Sequence, residues 1–132
     1  MAIQQVHDKF KIFTGVPAAD KTLGPLAEEI AAFARDQKVA AKSIGIEYLE
    51  ASKRLIISLG YRDDEAPYPV KVASIPLGKI GELASGDVTR LEAAMATASA
   101  QIKNNICHEL YITDEGDFLV VFMSQAEPAT AS

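Results

Sequence analysis

"SIGIEYLEASKRLIISLGY", residues 43 to 61, is the stretch where the hydrophobic period changes from helical to alternating, and the fold class is read from it. Successive strand side chains point to opposite faces. Ile44, Ile46 and Tyr48 therefore share one side of the first run, and Leu55, Ile57, Leu59 and Tyr61 share one side of the second. The connecting "EASK" is short enough for a hairpin, so two antiparallel strands are expected.

Upstream, "TLGPLAEEIAAFARDQK" (22 to 38) spaces Leu23, Leu26, Ile30 and Phe33 by three and four residues, the stripe of an amphipathic helix. Pro25 suits its first turn, and Glu28 and Glu29 lie near the positive end of its dipole. Before it, "VHDKFKIFTGV" (6 to 16) alternates from Phe10 through Ile12 and stops at Gly15 and Pro17, the pattern of a short strand. Downstream, "VKVASIPL" (70 to 77) alternates again. Pro76 cannot donate to a ladder and should mark the end of that strand or a sheet edge. "LGKIGELASG" (77 to 86) has room for a brief helical turn. "DVTRLEAAMATASAQIKNN" (87 to 105) then aligns Val88, Leu91, Met95, Ala98 and Ile102 on one side of a second, alanine-rich helix. "ICHELYIT" and "FLVVFMS" close the order as a hairpin around "DEGD", with Gly116 at a position suited to positive φ.

The expected fold is α+β: one antiparallel sheet of five or six strands with two helices on one face, in the order (β)-α-β-β-β-α-β-β. Residues 1–124 read as a single domain and 125–132, "QAEPATAS", as a flexible tail. "FLVVFM" (118 to 123) is apolar at both parities. Such a strand must be covered on both faces, by helices and a partner subunit or by a ligand.

At 132 residues and 48% hydrophobic content the chain can bury one core, and no apolar run approaches the roughly 20 residues that span a bilayer. With no secretory leader pattern and one cysteine, Cys107, a cytoplasmic protein is expected. The net charge is −5, and it is uneven: residues 1 to 62 hold 9 basic and 7 acidic side chains, residues 63 to 132 hold 4 and 11. Such a chain repels a phosphate backbone unless folding gathers Lys9, Lys11, Lys53 and Arg54, so nucleic acid is disfavoured as a partner.

The sharpest local signal is "RDDEAPYP" (62 to 69). Asp63, Asp64 and Glu65 are adjacent, whereas a calcium loop alternates its ligands, so a strand connection that could serve as an interaction patch with Tyr68 is the better account. "TDEGD" (113 to 117) likewise reads as a hairpin turn. Cys107 and His108 would point to opposite faces of a strand and cannot form a nucleophile and base pair with each other. With two histidines and one cysteine, the chain cannot supply four nitrogen or sulfur ligands to a structural zinc. There is no phosphate-binding glycine loop and no G-x-S-x-G, and no cofactor is expected.

In element order the chain resembles, over residues 22 to 124, the small acidic class of bacterial type III secretion chaperones and their relatives. The resemblance implies an α-β-β-β-α-β-β-α homodimer that holds unfolded segments of partner proteins. "QAEPATAS" stands where that family has its final helix. The expected function is a non-enzymatic protein-binding or chaperone-like module, binding a protein partner or itself. The alternative is a small-ligand-binding protein or small enzyme with a pocket between sheet and helices, lined by Tyr48, Tyr61, His108 or Tyr111.

Overall fold

A computed structural model describes residues 8–83 and 88–126. Its elements run β1 (Lys9–Gly15), α1 (Pro25–Gln37), β2 (Ala40–Leu49), β3 (Arg54–Arg62), β4 (Val70–Lys79), the single turn α2 (Ile80–Leu83), α3 (Thr89–Ser99), β5 (Asn105–Ile112) and β6 (Asp117–Gln125). The element order is the expected one and every strand pairing is antiparallel. Gln125 is the last residue of β6 and the Ala126 amide donates to the Pro69 carbonyl; positions 127–132 of the expected tail lie outside the described residues.

The expectation of one continuous sheet is corrected. The strands form two three-stranded sheets, ordered β1-β3-β2 and β4-β6-β5. Each is built the same way: a strand, a helical segment, then a hairpin whose second strand takes the centre. β2 and β5, each the partner of a single strand in its own ladder, lie alongside one another. Alternation along each strand says which face is buried but is silent on which edge meets which, so the break between β2 and β5 left no trace in the pattern.

The placement of the helices is also corrected. Leu119, Val121 and Met123 of β6 pack in the main core with Leu26, Ile30 and Ala34 of α1, and with Leu55, Ile57 and Leu59 of β3. The intervening Val120 and Phe122 pack with Ala98, Met95 and Ile102 of the α3 region. Because neighbours on a strand face opposite ways, α1 and α3 cover opposite faces of the C-terminal sheet. Both faces of the apolar β6 are thus buried within one chain, and its composition asks for no partner subunit.

α1 touches both β1 and β4, the outer strands of the two sheets, and so lies across the opening between them. Its lead-in is pinned to the C-terminal sheet by two bonds. The Leu23 amide donates to Ser74 Oγ at 3.0 Å, and the Tyr111 hydroxyl donates to the Lys21 carbonyl at 2.6 Å. Leu23, Ile30, Leu55, Ile57, Leu59, Leu119, Val121 and Met123 are all fully buried in this shared core. Pro76 sits on β4, an outer strand, where the register with β6 shifts between Pro76 and Gly78, so the missing donor falls at an irregularity.

Candidate functional site

The acidic stretch folds as a strand connection whose charges are met from within the chain. Asp63 pairs with Lys9, Asp64 receives Nε and Nη2 of Arg62 at 3.0 and 2.7 Å, and Glu65 meets Lys42 at 2.7 Å. The hydrogen bond from Arg62 holds the Asp64 carboxyl below the usual carboxylate range, and the one from Lys42 to Glu65 pushes the Lys42 ammonium up. Tyr68 packs against the core and donates its hydroxyl to the Ala41 carbonyl. With Pro67 and Pro69 it lines a hollow of about 220 Å³ beside Arg35 and Lys38.

The four candidate pocket residues have different partners, although Tyr48, Tyr61 and Tyr111 all adjoin the main core. The Tyr48 hydroxyl donates to Asp114 Oδ1 at 2.9 Å, joining the end of β2 to the turn after β5. That bond, reinforced by Lys53 at 3.6 Å, lowers the Asp114 carboxyl; Tyr48 is pushed up by loss of solvent and by the carboxylate it faces. Tyr61 lies edge-on to Phe33 with ring centroids 5.2 Å apart. His108 is exposed on the face of β5 that carries Phe122 on β6, with ring centroids 6.1 Å apart. Tyr111 is 4% exposed, and burial pushes its hydroxyl up. Cys107 is half-buried beside the Ile44 amide, and desolvation raises its thiol to about 11, so it stays protonated at neutral pH. Among the described residues no group of three His, Cys, Asp or Glu side chains is placed to hold a metal ion.

The basic residues are dispersed too. Lys9 pairs with Asp63, Lys11 lies over the Phe33 ring, Lys53 faces Asp114, and Arg54 donates to Thr14 Oγ1 at 3.4 Å.

The surface that the fold leaves open is the outer face of the N-terminal sheet. Leu55, Ile57 and Leu59 point into the core, so Ile56, Ser58 and Gly60 point out, and the register sets Thr14, Ile12 and Phe10 beside them on β1 and Glu47, Gly45 and Ser43 on β2. Phe10 is 64% exposed and Ile12 56%. Of the six large apolar side chains exposed among the described residues, Phe10, Ile12 and Leu49 stand on this face, and Val16 continues its parity beyond β1. The centre of the face is low. A Cβ added at Gly60 would meet Ser43 Oγ at 2.3 Å and Phe10 Cε1 at 3.3 Å, and one at Gly45 would meet Ser58 Oγ at 2.9 Å.

Beside this floor runs a groove of about 370 Å³, lined by Gly45, Ile46, Glu47, Ile56, Ser58 and, from the adjoining β5, Glu109. None of these residues is in the acidic or tyrosine sets read from sequence. The signal was present in the polar parity of the hairpin, where Ser43, Gly45, Ser58 and Gly60 alternate with the core residues, but such small side chains carry no chemical label in the sequence.

No protein-family model, no curated protein and no solved structure matches the chain. No helix among the described residues is long and apolar enough to cross a membrane.

Proposed function

We propose that the chain is a non-enzymatic, chaperone-like protein-binding module, and that it binds through the outer face of its N-terminal sheet. The observation that carries this reading is the contrast in cover. The C-terminal sheet has a helix on each face, whereas the N-terminal sheet presents Phe10, Ile12 and Ile56 around a glycine and serine floor with no element of the described chain over it. Exposed apolar side chains gathered on one flat face are the usual mark of an interaction surface. Catalysis by paired acids or by a nucleophile and base would need titratable groups converging in a cleft, and here the acids are engaged in surface ion pairs, several of them gathered around Arg62 and Lys42.

Site-specific photocrosslinking tests the reading. A benzophenone side chain placed at Ile12, or at Ala93 on the exposed side of α3, is irradiated in a cell extract and the adducts are identified by mass spectrometry. A discrete, recurrent protein adduct at position 12 and none at position 93 is expected. Equal labelling from both positions, or none from position 12, sinks the proposal.

A further inference from the structure

Given the binding role proposed for the open face, on which this inference rests, the kind of partner follows from the size and charge of that face. Three strands at about 4.8 Å spacing and about seven residues at 3.4 Å rise make a patch on the order of 350 Å². A stable association of two globular chains buries about 800 Å² on each side, so this face is too small to hold a second copy by itself. A single helix fits it. On the C-terminal sheet one helix of 11 residues, α3, lies over the face of Val120 and Phe122 and buries the small Ala98 against them.

Charge narrows the choice further. Asp63, Asp64 and Glu65 are neutralised by Lys9, Arg62 and Lys42, but Glu47 and Glu109, which flank the groove, meet no cation among the described residues; one Glu109 oxygen accepts only the neighbouring Leu110 amide at 3.3 Å. Two unpaired carboxylates beside a floor of glycine, serine and isoleucine complement a ligand with small side chains on one side and cationic groups along its margin. We infer that the groove along Gly45, Ile56 and Ser58 receives a short amphipathic helix of a partner protein, with small apolar residues on the floor and lysine or arginine beside Glu47 and Glu109. The carboxylates set partner choice and association rate, and Ile56 with the small floor residues holds the complex.

The test uses the full chain, labelled with nitrogen-15, and three synthetic 14-residue probes. One is a helix with an alanine and leucine face flanked by lysines; the second carries glutamate in place of lysine; the third has the first composition with two central prolines. The lysine helix is expected to shift the amide signals of Gly45, Ile56, Ser58 and Gly60 and to bind at least about tenfold more tightly than either of the others. Glu47→Lys with Glu109→Lys should reverse the preference between the lysine and glutamate probes, and Ile56→Ser should weaken both.

Equal binding of the proline-interrupted probe would overturn the helical occupant. Binding unaffected by Ile56→Ser, or shifts confined to other acidic surfaces, would overturn the groove. A dimer that forms with concentration in sedimentation runs and shifts the same amides would show the occupant to be a second copy, and the inference would be wrong. A discrete crosslinked partner at position 12 combined with no binding of the lysine helix would reject the helix while leaving the binding role standing.

Discussion

The two sheets share one plan and differ in what lies over them. Each places the second strand of its hairpin in the middle, yet β6 carries apolar residues at both parities while β3 alternates leucine and isoleucine with Ile56, Ser58 and Gly60. The difference maps directly onto cover: α1 and α3 sandwich the C-terminal sheet, and the N-terminal sheet packs on one side only. Hydrophobic content at the second parity of a central strand is therefore a readout of how many layers the chain builds over it. Where the residues at that parity are small and a few large apolar groups remain at the margin, the chain builds no second layer among the described residues.

Truncation of the covered face should give the largest effect. Phe122 is 3% exposed between β6 and α3, so Phe122→Ala is expected to cost about 3–5 kcal/mol by removing apolar burial and leaving a cavity. The same kind of change on the open face, Ile12→Ser, should stay within about 0.5 kcal/mol. Urea unfolding of both variants checks the pair. Comparable losses would mean that the two faces are not differently covered.

The floor of the open face gives a smaller effect. Gly60→Ala forces a methyl group against Ser43 Oγ and the Phe10 ring, and should cost about 1–2 kcal/mol. Ser43 Cβ lies 3.6 Å from the added methyl, an ordinary contact, so Ser43→Ala in the same chain should restore much of the loss. A double-mutant cycle by thermal unfolding reads the coupling between the two sites. Additive effects would show that the close approach of β2 and β3 at this point is looser than the geometry gives.

Much of the architecture could be read from the chain because period and punctuation act locally. The β2–β3 hairpin shows in the alternation of Ile44 to Tyr61, the β5–β6 turn in Gly116, which sits at φ 80°, and α1 in the stripe from Leu23 to Phe33. The division into two sheets, and the opposite placement of α1 and α3, are decided by packing between elements far apart in sequence. β6 is the instructive case: its two apolar parities announced cover on both faces, but not that one chain supplies both covers. The candidate site was less legible. Acidic residues and tyrosines stand out in a sequence, and folding ties Asp63, Asp64 and Glu65 to their own cations, buries Tyr111 and engages Tyr48 with Asp114. The open face is built instead from glycine, serine and isoleucine, which carry no chemical label until the register sets them side by side.

The joint between the sheets is held at one end by a contact that responds to acid. Tyr48 on β2 donates to Asp114, just past β5, and Lys53 lies 3.6 Å from the same carboxylate. The Asp114 carboxyl is lowered from its ordinary 3.8 by that hydrogen bond and by Lys53, so the folded state binds its proton less readily than the unfolded chain does. A group depressed in this way contributes stability that is fully present above the unfolded value and lost as pH falls through the folded one. The melting temperature should therefore drop between about pH 5 and pH 3. Asp64 and Asp117, lowered by Arg62 and Lys79 respectively, add to the same trend. Asn at position 114 still accepts from the Tyr48 hydroxyl but has no proton to gain in that range, so Asp114→Asn should flatten the dependence while keeping the fold. The effect is small because the carboxylate is exposed, and its value lies in the location. If the acid dependence is unchanged in Asp114→Asn, the junction between β2 and β5 owes nothing to this ion, and the two sheets are held together by the shared core and α1 alone.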